Sequence, residues 1–262
     1  MRRFAIVMPL FAILAGVAGL YVRMLERRDV FDDFTGLPER GATITYLLIA
    51  LAVGFLILVA VFSIVAGVKH TSLRGFDNAF GTESLAYPFL ITLLGAVWLG
   101  ATVKYFVDSN ASLELSEPSL YFVILSALAA LSMVFFAIEI YQDPRRKTAL
   151  VLSVVPILFM CFWLILLYKE NATNPVLLGY CYYCLAVISV TLSFYYTAGF
   201  IFNKRSPGKA VFVYLASIFF CLVTLADDHQ IGVKLILAAM AAVDAIYSFM
   251  LIRHMRKKEI SG

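Results

Sequence analysis

Polar residues interrupt this chain at intervals, and the apolar runs between them are of similar length. They lie near 4–24, 43–68, 85–107, 118–142, 148–168, 175–202, 209–226 and 231–252. About 20 mostly apolar residues wound as a helix cross the ~30 Å of bilayer hydrocarbon, so each run is about one crossing long. A segment in lipid must satisfy its backbone N–H and C=O groups internally, and a helix does this within itself. The pattern therefore predicts an all-α, polytopic transmembrane helix bundle of about eight spans. The longest connections, 25–42 and 69–84, run to about 16–18 residues, too short for a soluble ATPase, kinase or receptor module. Residues 1–262 read as a single integral membrane domain.

Composition strengthens this reading. Hydrophobic residues make up 62% of the chain and charged residues 15%, against roughly 45–50% and ~25% in soluble domains. The mean hydropathy is +0.91. A water-soluble fold of this length could not bury so much apolar surface, so lipid is the expected solvent for most side chains.

Charge adds orientation. Of the 21 Lys and Arg residues, 14 fall on the side that carries both termini. Basic residues are retained in the cytoplasm, so both termini are expected there, in a multi-pass protein of the cell membrane. The first connection is discordant. It carries Arg23, Arg27, Arg28 and Arg40 on the opposite side, interleaved with Glu26, Asp29, Asp32, Asp33 and Glu39. The opening MRRFAIVMPLFAILAGVAG has the basic start and small residues of a signal peptide, but its apolar run continues to Val22, so it reads as an uncleaved first span. The net charge of +4 reads as orientation and contact with anionic lipid, and nucleic acid is not an expected partner.

Two hairpins share landmarks. Trp98 precedes Lys104 and Trp163 precedes Lys169 by the same six residues, and the return spans open at Glu117-Pro118 and Asn174-Pro175. This is either a weak internal repeat or ordinary use of Trp and Lys as interface anchors and of Pro in a helix's first turn. In the outer loop, Asp29, Asp32 and Asp33 lack the register of a calcium loop and read as a solvated turn. Asn171-Ala172-Thr173 matches a glycosylation sequon on the predicted outer face.

The candidate chemistry is sparse. Cys181-x-x-Cys184 in GYCYYC sits about two turns inside the sixth span. A redox pair needs an accessible thiolate and zinc needs two further ligands, so these thiols read as small packing residues. They extend into a stripe of Ile188, Thr191 and Tyr195, expected to face protein. The three histidines, His70, His229 and His254, lie near span ends, which leaves no pair to hold a haem within the bilayer. No nucleotide, protease, hydrolase or deaminase motif is present, so no catalytic residue, metal or cofactor is expected.

Ionisable residues at membrane depth are therefore the most informative. Asp244, in AAMAAVDAIYS, lies close to the middle of the last span among small residues. A carboxylate there costs about 2.5–3.5 kcal/mol, so it should be paired, hydrated or protonated. Glu139 lies about one turn from the predicted cytoplasmic boundary, in reach of water or Arg145. Asp244, Glu139, Thr191 and Tyr195 form the candidate substrate-binding set.

Three functional classes fit. The first is a permease for a small solute or ion, with Asp244 as the buried charge. The second is a haem-free anchor subunit that binds a soluble subunit on its basic cytoplasmic face. The third is a membrane sensor, scaffold or assembly factor.

Overall fold

The computed structural model describes residues 2–32, 37–39, 41–71, 76–80, 85–111, 117–142, 147–172, 176–202, 204 and 206–257. Among these, the elements in chain order are α1 (Arg2–Asp29), α2 (Thr43–Lys69), a two-residue strand β1 (His70–Thr71), the short α3 (Phe76–Phe80), and α4 (Ala86–Ala111). Then come α5 (Glu117–Gln142), α6 (Lys147–Asn171), α7 (Leu177–Ile201), α8 (Pro207–Thr224), α9 (Ile231–His254) and β2 (Arg256–Lys257). All the long helices, eight among the described residues, are apolar and long enough to cross a membrane. The chain is a multi-span, all-helical membrane protein. Apart from a single antiparallel bridge between Phe31 and Pro38, strand pairing among the described residues is the antiparallel contact of β1 with β2, which ties the end of α2 to the chain's C-terminal segment.

The helices form where the apolar runs lie, with one informative extension. Hydropathy falls away after Val22, yet α1 continues to Asp29. Residues 25–29, read from sequence as connection, are helical because Arg23 and Glu26, one turn apart, face inward as an ion pair. Arg40, Arg74, Arg145, Arg146, Arg205 and Lys258, which entered the orientation count, lie outside the described residues, as does Thr173 of the sequon.

Helices α4 to α9 pack in chain order, and α9 returns to α4, which closes a ring of six. α1 lies against α8 and α9, and α2 lies against α1 and α8. In consequence α8 and α9 have 72% and 67% of their apolar windows buried, while no other span exceeds 44%. Two crossings depend on glycine. A Cβ on Gly232 of α9 would fall 2.6 Å from the Tyr105 Cβ of α4, and one on Gly208 of α8 would fall 2.7 Å from the Ser63 carbonyl oxygen of α2. Small residues at such points let backbones approach in lipid, where dispersion contacts and not water exclusion hold helices together.

Aromatic side chains fill the ring. Trp98 on α4 reaches Phe159 of α6 at 5.7 Å and Phe194 of α7 at 6.3 Å, neither helix being its neighbour in the ring. Phe122 and Trp163 continue the stack. Both tryptophans are 1–2% exposed. They are core residues, and the interface-anchor reading of them is corrected.

Their hydrogen bonds bring out the likeness between the two hairpins. The Trp98 indole N–H donates to Ser126 Oγ at 3.0 Å, and that of Trp163 donates to Tyr183 Oη at 2.7 Å. Ser126 and Tyr183 each stand eight residues after the proline near the start of their helix, Pro118 and Pro175. The α4–α5 and α6–α7 hairpins thus repeat one indole-to-hydroxyl bond in the same register at both ends.

Candidate functional site

Asp244 stands thirteen residues from the start of α9 and ten from its end, and it is 1% exposed. The polar groups acting on its carboxyl are the hydroxyls of Ser193 on α7 and Ser217 on α8. Neither satisfies it. Ser193 Oγ donates to the Val190 carbonyl at 2.9 Å, and Ser217 Oγ sits in a long contact, 3.9 Å, with Cys221 Sγ. Among the described residues neither carboxyl oxygen has a hydrogen-bond partner, and no basic side chain acts on it. Of the three ways to hold a carboxyl at this depth, pairing is therefore missing. A proton or hydration is what remains.

Phenol and hydroxyl groups extend from this point along α9. Tyr247 packs against Tyr214 at 5.9 Å and Tyr87 at 6.5 Å, and the Tyr214 hydroxyl is 2.8 Å from that of Thr197. Beside Tyr247 lies a cavity of about 10 Å³, lined also by Ser153, Pro156, Phe194 and Thr197. Such a volume accommodates about one water molecule.

Among the described residues, packed side chains lie at both ends of this interior. At the end that carries the chain termini, α3 inserts its two phenyl rings. Phe76 meets Phe136 of α5 at 5.7 Å, and Phe80 meets Phe200 of α7 at 5.3 Å and Tyr247 at 5.5 Å. Phe76 and Phe80 are 3% and 0% exposed. Residues 69–84 read from sequence as a plain connection. The signal for α3 was Phe76-x-x-x-Phe80, one helical turn of aromatic spacing between Gly75 and Gly81.

The opposite end carries a buried charge cluster that sequence reading placed in a loop. The Arg23 guanidinium donates to Glu26 Oε2 at 2.7 Å, to Asp227 Oδ1 at 2.8 Å, and to the carbonyls of Leu178 and Gly179 at 3.0 and 3.3 Å. Arg23, Glu26 and Asp227 are fully buried. The guanidinium also lies over the Tyr182 ring at 5.1 Å, and Arg27 reaches Asp227 at 3.5 Å. Asp227, seven residues before Lys234 in sequence, pairs with Arg23. Burial pushes its carboxyl up, and the two guanidiniums pull it back. His229 stacks at 4.2 Å on Tyr183, the acceptor for Trp163. Burial, with Lys234 and Arg27 nearby, holds its imidazole down at about 4, so it is neutral near pH 7. Of the four discordant arginines, Arg23 and Arg27 are thus committed to this cluster, and Arg28 pairs with Asp29 at the surface. The charge alternation of Arg23, Glu26 and Arg27 on one helical turn was the available signal.

The other candidates drawn from the sequence lie elsewhere. Thr191 is half-buried and donates to its own helix, at Val187 O. Tyr195 is 52% exposed and meets Tyr196. The stripe from Cys181 to Tyr195 does not face protein throughout. Ile188 and Tyr195 point outward, because α7 buries the face of Tyr183, Ala186, Val190, Ser193 and Thr197. Glu139 is half-buried on α5, one turn beyond Phe136 and so beside the α3 end, and it is not among the groups acting on Asp244. Arg145, its expected partner, lies outside the described residues. Lys104 pairs with Asp108 as its spacing indicated. All four cysteines are free thiols. No protein-family model, curated protein or solved structure matches this chain.

Proposed function

We propose that this chain is a proton- or cation-coupled permease for a small solute or ion, with Asp244 as the group that takes the proton or cation. The observation that carries the reading is a fully buried carboxyl without a hydrogen-bond partner among the described residues, flanked by hydroxyls inside a ring of six helices. A packing role predicts well-formed hydrogen bonds from the neighbouring helices, whereas the Ser193 and Ser217 hydroxyls lie near the carboxyl without reaching hydrogen-bond geometry. The anchor, sensor and scaffold readings leave an unsatisfied group at membrane depth unexplained, whereas a binding site is unsatisfied until its ligand arrives.

The two closures fit an occluded state of such a carrier. The cavity beside Tyr247, about 10 Å³ and not lined by Asp244, takes at most a single water-sized species, so on this reading anything larger requires α3 to move. Displacing α3 would open the ring toward the side of the chain termini, which this reading places in the cytoplasm. Opening the other side means parting Arg23 of α1 from Asp227 and from the start of α7. The fold thus offers one aromatic and one ionic closure on either side of one carboxyl, as alternating access requires.

The test is uptake by proteoliposomes under an imposed proton gradient, screened over small cations and small organic solutes with a trapped pH-sensitive dye. The parent should move protons together with one class of solute. Asp244→Asn, inserted at parental levels, should lose that coupled movement, and Asp244→Glu should retain part of it. Coupled uptake undiminished in Asp244→Asn would defeat the proposal.

A further inference from the structure

Away from the ring interior, the outer surfaces of α2, α7 and α8 enclose an open groove of about 670 Å³ at the end that carries the termini. Its walls are apolar, with Ala60, Ile64 and Val68 on α2, Leu192 on α7 and Phe212 on α8. From Ala60 to Val68 the wall runs ~12 Å along the helix axis. Its polar groups gather around the start of α8, where Ser206, Gly208 and Lys209 line it.

Two features of that end are built for an anion. The first is the start of α8. Pro207 is its first residue, Ser206 makes no side-chain capping bond, and the next N–H groups, those of Gly208 and Lys209, have no acceptor within the helix. A helix start with its positive dipole end and a lysine beside it is suited to a phosphate. The second feature is independent of the first. Ser63 lines the groove, is 3% exposed, and its Oγ has no hydrogen-bond partner among the described residues. Other buried serines of this chain, Ser132, Ser189 and Ser193, donate to the carbonyl three residues back. Ser63 does not, so its hydroxyl is left without a partner among the described residues. The α2–α8 crossing at Gly208 sets Ser63 directly against the start of α8.

We propose that this groove holds one anionic phospholipid, with its phosphate at the start of α8 against Lys209 and Ser206 and an acyl chain along α2 and α7. The combination of a lipid-facing apolar wall with an anion-suited end is what selects a lipid over a soluble anion. Ser63 sits where the two parts meet, and it donates to the phosphate or glycerol-ester oxygens.

The full chain, purified in detergent, is loaded with phosphatidylglycerol or phosphatidylcholine of the same acyl chains and analysed by native mass spectrometry. One phosphatidylglycerol should be retained in preference to phosphatidylcholine. Lys209→Glu should lower its retention at least about fivefold, the equivalent of one basic residue's attraction to anionic lipid. Lys204→Glu, exposed and outside the groove lining, should leave retention unchanged. Ile64→Trp, which fills the apolar part, should lower retention of phosphatidylglycerol without altering any charge, and it carries the test if Lys209→Glu does not fold. Equal retention of the two lipids, no effect of either groove variant, displacement of the lipid by inorganic phosphate alone, or a protein segment found in its place would overturn the proposal.

Discussion

Replacing Arg23 with Met tests whether the charge cluster holds α1, α7 and the α8–α9 connection together. The substitution keeps an apolar stem and removes hydrogen bonds at 2.7 and 2.8 Å to two carboxylates and at 3.0 and 3.3 Å to two carbonyls. Glu26 and Asp227 would then remain fully buried, with Arg27, 3.5 Å from Asp227, as the nearby cation of the cluster. Stranding a buried charge costs about 3–5 kcal/mol. At about 2–4 °C per kcal/mol for a chain of this size, the midpoint of thermal unfolding in detergent should fall by about 6–20 °C. Arg23→Lys keeps the charge but cannot fork between two carboxylates, and should fall between the two. The triple variant Arg23→Met, Glu26→Gln, Asp227→Asn removes the stranded charges together and should recover part of the loss, a non-additivity of about 0.5–3 kcal/mol. An Arg23→Met protein that melts within about 2 °C of the parent, or a triple variant in which the losses simply sum, would refute the reasoning.

Further expectations concern other parts of the fold. His229 has its imidazole held at about 4 against an ordinary 6.5, so the unfolded chain takes up a proton that the native one refuses. The stability tied to it is intact above pH 6.5 and is lost as pH falls toward 4. His229→Phe keeps the ring on Tyr183, and its unfolding midpoint should fall less than the parent's over that interval. An identical fall would mean that other groups set the acid sensitivity. Gly232→Ala would drive its Cβ into Tyr105 and Ala101 of α4, so it should melt several degrees below the parent, and an unchanged midpoint would show that the crossing has room to spare.

The spans were legible because lipid demands long apolar helices whatever they pack against, so hydropathy alone located all of them. Asp244 was legible for the related reason that a carboxylate in such a run is conspicuous. What hydropathy could not show is how one helix turns toward another. Arg23, Glu26 and Asp227 read as loop charges because their burial depends on a partner some two hundred residues away in sequence. Trp98 and Trp163 read equally well as interface anchors, since indole suits both a membrane boundary and a core, and only contact with Ser126 and Tyr183 decides. On α7, Thr191 and Tyr195 were grouped by spacing from Cys181, but spacing gives a shared face without saying which face is inward. The α3 plug was missed because five residues are too few for any periodicity to stand out. Its two phenylalanines have meaning only against Phe136, Phe200 and Tyr247.

Access to the buried Asp244 carboxyl tests the central claim most directly. In a chain freed of its native cysteines, Ser193→Cys places a thiol beside the carboxyl, and a small membrane-impermeant thiol reagent is applied to membranes of each orientation. The closed ring predicts slow labelling of this thiol. Adding Phe80→Gly, which removes the ring that packs on Phe200 and Tyr247, should speed labelling markedly from the side of the chain termini and leave the rate from the other side unchanged. Labelling that ignores Phe80→Gly, or that proceeds equally from both sides, would contradict closure of the ring interior by α3 and the permease reading built on it.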